Sequence, residues 1–124
     1  MGTEKLLQEM IAKIESDVSG VIATAAVDLE SGMTLAAKSN KSEFDLTVAS
    51  AYNSELVKQK LKIMRALNLK VNLEDMLLTL TDQYHLIKLL PGGASFLYLA
   101  ADRGSTNLAI LRNAVNKHCN GLPA

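Results

Sequence analysis

Between Asp45 and Leu69 the chain holds no glycine and no proline. A stretch this long without either reads as one uninterrupted helix, the longest in the sequence. Turned at about 100° per residue, its side chains sort into three faces. Val48, Ala49, Tyr52, Leu56, Ile63, Ala66 and Leu67 form one apolar stripe. Leu46, Val57, Leu61 and Met64 form a second beside it, broken by Ser50, Asn53 and Lys60. Thr47, Ser54, Glu55, Lys58, Lys62 and Arg65 fill the remaining face. Covering a sheet takes one stripe. The second needs another partner, and a chain of 124 residues has little left to supply it. Large uncovered apolar patches mark association. Leu46, Val57, Leu61 and Met64 are therefore expected at a subunit interface.

The segments around this helix fit that frame. From Thr3 to Asp17, Leu6, Leu7, Met10, Ile11 and Ile14 share one arc of a helical wheel, with Thr3 as expected N-cap. Val21 to Asp28 and Met33 to Ser39 read as strands β1 and β2, joined by a glycine-containing connection into a hairpin. After the long helix come three strand segments: β3 from Asp75 to Leu80, β4 from Tyr84 to Leu90 and β5 from Ala94 to Ala101. Their connectors, Thr81-Asp82-Gln83 and Pro91-Gly92-Gly93, are short and rich in turn residues, so the three form an antiparallel meander. DMLLTL and HLIKLL are apolar without alternation, as in a sheet covered on both faces. A final helix is expected from Thr106 to His118. Runs of strands rather than strict strand–helix alternation give a mostly antiparallel α+β sandwich, a single domain over residues 1–124. Within it, β3 could lie at the sheet edge. An apolar, charge-poor edge calls for protection, which a second copy pairing along Met76 and Leu78 would supply.

Charge narrows the function. Thirteen basic residues balance thirteen acidic ones, which argues against a nucleic-acid binder or a protein drawn to an anionic membrane surface. No apolar run approaches the ~18–20 residues of a bilayer span. The first ten residues lack the unbroken apolar core of a secretory signal, so a cytoplasmic protein is expected. The single cysteine, Cys119, offers neither an intrachain disulfide nor a metal cluster.

Catalytic groups do not converge in the sequence. His85 and His118 lack a histidine or cysteine at metal-ligand spacing. There is no phosphate-binding glycine loop and no nucleophile elbow. Glu74 and Asp75 are adjacent and point to opposite sides of an extended chain. The expectation is no enzyme, no cofactor, no metal and no small-molecule substrate. Glu55, Lys58, Lys62 and Arg65 line the long helix's outer polar face, either as a solvated row or as a docking patch for an acidic partner.

The order of elements and several phrases resemble the Roadblock/dynein light chain family. The resemblance runs from the leading helix through AAVDLESGMTLA (Ala25 to Ala36) and the long helix. It continues in DMLLTLTDQYHLIKLLPGGASFLYLAADRGSTNLAILR (Asp75 to Arg112), with Asn107-Leu108 before the last helix. It implies a five-stranded antiparallel sheet, order β2-β1-β5-β4-β3. One long helix lies on one face and two terminal helices on the other. It further implies a homodimer built from edge strands and central helices, and a non-enzymatic regulator or scaffold for a Ras-like small GTPase. In that setting Glu55, Lys58, Lys62 and Arg65 would meet the GTPase. The alternatives are a profilin-like or PAS-like small-molecule sensor and a dynein-type light-chain adaptor.

Overall fold

The computed structural model describes residues 2–123. The elements run α1 (Gly2–Asp17), β1 (Val21–Asp28), β2 (Thr34–Ser39), α2 (Leu46–Ala66), β3 (Asp75–Thr79), β4 (Gln83–Leu89), β5 (Ser95–Asp102) and α3 (Leu108–Asn120). Each lies within two residues of the expected boundary, except that the long helix stops three residues earlier. Thr3 sits inside α1 rather than capping it.

Local chemistry sets the ends of α2. The Asp45 carboxylate accepts the Val48 backbone N–H, satisfying a donor the helix leaves unpaired. At the other end Asn68 takes a left-handed φ of 57°. That turn lets Asn68 N–H reach the Arg65 carbonyl and Leu69 N–H reach the Met64 carbonyl, closing a Schellman motif. Asn107 caps α3 in the same way as Asp45, accepting from Ile110 N–H. Thr106 does something else: its hydroxyl donates to the Ser19 carbonyl, 2.7 Å away, tying the entrance of α3 to the end of α1.

The five strands form one antiparallel sheet in the order β2-β1-β5-β4-β3. β1 and β5 are central and are buried along almost their whole length. Alternate residues of each strand face opposite layers. Leu86, Leu97, Leu99 and Ala101 face α1 and α3 and pack with Ile11, Ile14, Leu111 and Val115. Ala23, Ala25, Val27, Ile87, Phe96 and Tyr98 face α2. This two-sided burial explains why the meander strands carry apolar residues without alternation. A polar clasp fixes α1 over the hairpin: the Glu15 carboxylate accepts from the buried Thr24 hydroxyl at 3.1 Å and from the Asn40 amide at 3.0 Å, and pairs with Lys38 at 3.3 Å.

Candidate interaction surface

The roll of α2 about its own axis decides which residues it can offer to a partner. Three contacts with the β1–β2 hairpin set that roll. Ser50 accepts from the Thr34 hydroxyl at 2.9 Å. The Ser54 hydroxyl donates to the Leu29 carbonyl. The Lys58 ammonium donates to the Glu30 carbonyl at 2.6 Å. Small polar residues thus face inward, where backbone carbonyls and a hydroxyl satisfy them. Leu46, Val57 and Met64 go inward with them and are buried, with Leu61 packed against the same core.

This corrects the expectation for those four residues. Leu46, Val57, Leu61 and Met64 cover the chain's own sheet, and Val57 is completely inaccessible. The uncovered stripe is the other one: Val48 is 50% exposed, Tyr52 74%, Leu56 36%, Ile63 40% and Leu67 63%. The surplus of apolar surface is real, with the two stripes exchanged. The misleading cues were Ser50, which reads as a break in the inward stripe, and Ser54, which reads as part of the outer polar face, until their hydrogen-bond partners are known.

The uncovered stripe has a definite neighbour. The hairpin contacts lie on one flank of α2, and the apolar stripe lies on the other, above the β4–β3 side of the sheet. There the Asn53 side chain lies close to the Tyr98 phenol. Tyr98 also meets His85 Nδ1 at 3.1 Å, and His85 Nε2 meets Gln83 Oε1 at 2.7 Å. Phe44 packs edge-on to His85 and stacked on Tyr98, with ring centroids 6.4 Å apart in both pairs. Burial pushes the Tyr98 phenol up to about 12 and holds the His85 imidazole below its ordinary value. These groups floor the region between α2 and β3.

β3 closes the far side. It pairs with β4 alone and is the last strand of the sheet. Met76 packs toward the α2 layer, so Leu78, two residues on, lies on the same face. Leu78 sits opposite His85 and is 37% exposed, whereas Met76 is half-buried. The α2 stripe, Leu78 and the unpaired edge of β3 are thus all left uncovered by the chain's own elements. On the opposite sheet face Asp75 is held by Arg112 at 3.1 Å, which anchors β3 to α3.

The four polar residues separate. Glu55, Lys62 and Arg65 are exposed, whereas Lys58 is half-buried against Glu30. All four lie on the hairpin flank, about a third of a turn from the apolar stripe. The two histidines are not brought together: His85 contacts Tyr98, and His118 contacts Asp17 at 2.8 Å. Among the described residues, no three metal-ligating side chains cluster. Nor is any described helix long and apolar enough to cross a membrane. Cys119 is buried, and burial pushes its thiol up to about 12, which disfavours the reactive thiolate.

This arrangement of sheet and helices is the Roadblock fold. Among solved structures it is similar to MglB of Myxococcus xanthus, with a TM-score of 0.77 and 11% identity over 94% of this chain and 81% of that one. The gliding protein MglB of Thermus thermophilus gives a TM-score of 0.81 and 10% identity over 97% of this chain and 87% of that one. A Roadblock/LC7 domain from Streptomyces avermitilis gives a TM-score of 0.78 and 12% identity over 91% of each chain. No protein-family model matches the chain, and no curated protein matches it by sequence.

Proposed function

We propose that the protein is a cytoplasmic, non-enzymatic homodimer that regulates or scaffolds a Ras-like small GTPase. The observation that carries the reading is the uncovered apolar stripe of α2, Val48, Tyr52, Leu56 and Ile63, together with exposed Leu78 on the unpaired edge strand β3. A two-fold axis beside β3 would pair the strand edges and bring the two α2 stripes together, covering both liabilities at once. The dimer seam is thus Val48, Tyr52, Leu56, Ile63, Met76 and Leu78.

Partner contact falls to the hairpin flank. Glu55, Lys62 and Arg65 remain exposed there after the apolar flanks pair, and symmetry duplicates them. One solved structure with this fold is described as MglB with a tetrameric arrangement, at a TM-score of 0.75 and 13% identity. That likeness supports self-association of the fold. The sensor alternative is less well supported, because a ligand cavity under α2 would need space that Val57, Ile87, Phe96 and Tyr98 fill.

Two measurements test the reading. Light scattering at micromolar concentration should give twice the 13.4 kDa chain mass. Affinity capture with the purified dimer should retain a small GTPase from the native cell, in a manner that depends on the bound guanine nucleotide. A monomer at that concentration, or capture indifferent to nucleotide, overturns the proposal.

A further inference from the structure

The β1–β2 turn and the Pro91–Gly93 turn lie at the same end of the sheet, where Leu29 N–H donates to the Ala94 carbonyl. Beside the second of these turns a cleft of about 490 Å³ opens. Its walls come from Leu61 of α2, the approach to β3, the end of β4 with the turn after it, and the last residue of α3. Lys88 lines it and is only 8% exposed. Among the described residues no carboxylate pairs with Lys88, since its cross-strand neighbour Asp75 is taken by Arg112. The neighbours of Lys88 on the same sheet face are Leu86 and Leu90, so an apolar residue would suit the layer. The ammonium has no hydrogen-bond or ion-pair partner among the described residues and keeps contact with solvent, so an anion arriving through the cleft would be its first counter-charge.

We propose that this cleft binds a small organic anion, a carboxylate or a phosphate monoester of low charge, with Lys88 as its counter-charge. The inference is independent of the dimer and of the GTPase. Asn72 and Asn120 line the same cleft and are exposed, so their amides can donate to the anion's oxygens. Glu74 lies on the rim and repels ligands with several negative charges, which selects against polyphosphates. Gly93 holds φ at +77°, and a Cβ built there meets nothing within 4 Å, so the turn leaves room for the ligand's body. The volume suits a small metabolite rather than a macromolecule.

An NMR titration of the ¹⁵N-labelled full chain tests the site at constant ionic strength. The probes are acetate, inorganic phosphate and the neutral acetamide. Acetate or phosphate should produce saturable shifts at the amides of Leu89, Gly92, Gly93 and Asn120, and acetamide should not. The tighter of the two anions identifies the headgroup. Lys88→Met should weaken binding at least tenfold, and Glu74→Gln should strengthen phosphate binding. Shifts that never saturate, that acetamide reproduces, or that persist in folded Lys88→Met overturn the proposal. They would leave Lys88 as a solvated cation at the end of β4. The acetate-against-acetamide comparison on the wild-type chain decides the matter if Lys88→Met does not fold.

Discussion

Val57 and Ile63 lie on different sides of α2, and truncating each to alanine should damage two different equilibria. Val57 is completely buried against the sheet. Removing its two methyl groups forfeits about 1.6 kcal/mol of transfer free energy. The cavity left behind raises the cost to about 2–3 kcal/mol. Ile63 is 40% exposed in the single chain, so that fraction is what a partner can still cover. Burying an isoleucine completely is worth roughly 1.5–3 kcal/mol, which makes the uncovered share about 1 kcal/mol. Two-fold symmetry counts it twice, so the dimer loses about 2 kcal/mol and its Kd rises roughly thirtyfold. The share of Ile63 already covered in the single chain is worth about 1–2 kcal/mol, of which alanine's better helix propensity returns about 0.5, so the Ile63→Ala monomer should lose about 1 kcal/mol of its own stability. Urea denaturation at two protein concentrations separates the effects, because only dissociation depends on concentration. Val57→Ala should lower the midpoint equally at both. Ile63→Ala should lower it modestly at the lower concentration and further at the higher, and should shift the dimer–monomer equilibrium in sedimentation. The reasoning is refuted if Val57→Ala dissociates the dimer without loss of fold stability, or if Ile63→Ala costs as much as Val57→Ala at every concentration.

Other perturbations address separate parts of the molecule. Gly20→Ala should destabilise by about 2 kcal/mol or more in thermal melts, because its φ is +83° and the new Cβ would sit 2.5 Å from the Ser105 hydroxyl. Asp28 is held below its ordinary carboxyl value by the Ser31 hydroxyl and backbone N–H. Its contribution is therefore complete above the unfolded value of 3.8 and fades as the pH falls through the lower folded value, so Asp28→Asn should flatten the acid limb of the stability profile. Reversing Lys62 and Arg65 to glutamate should slow GTPase association and alter its salt dependence while leaving the dimer intact, as stopped-flow and light scattering would show. Cys119 in the native chain should react with an alkylating reagent only as fast as the protein opens, so mild denaturant should accelerate labelling.

Much of the architecture was legible because local and global cues agree. Asp45 and Asn107 mark helix starts, Asn68 and Gly20 mark chain reversals, and two-sided apolar strands announce a sheet covered by helices. The roll of α2 was not legible. Periodicity defines stripes, yet the choice between two apolar stripes depends on what Ser50, Ser54 and Lys58 meet. Those partners are a hydroxyl and two backbone carbonyls of the β1–β2 hairpin, up to 28 residues away in the chain. The basic row was legible as exposed surface only in part, since Lys58 is engaged by Glu30. Lys88 gave no cue either: one lysine in an apolar strand carries no pattern until its burial is known.

The pairing of β1 with β5 also has a kinetic consequence. The hairpin β1–β2 and the meander β3–β4–β5 are each built from neighbours in sequence. Only the β1–β5 ladder joins them, aligning residues such as Ala25 and Tyr98 that are roughly seventy apart. Closing a loop of that length costs about 4 kcal/mol of chain entropy before the ladder returns any of it. The two halves should therefore form early, and their union should set the folding rate. The closing loop contains α2, whose hydrogen bonds reach the hairpin and whose apolar side chains reach β4 and β5. The helix thus acts as a brace that holds the two halves in register while the central ladder forms. A backbone break between Leu67 and Glu74 would turn this closure into the meeting of two separate fragments, and their reassembly would become dependent on concentration.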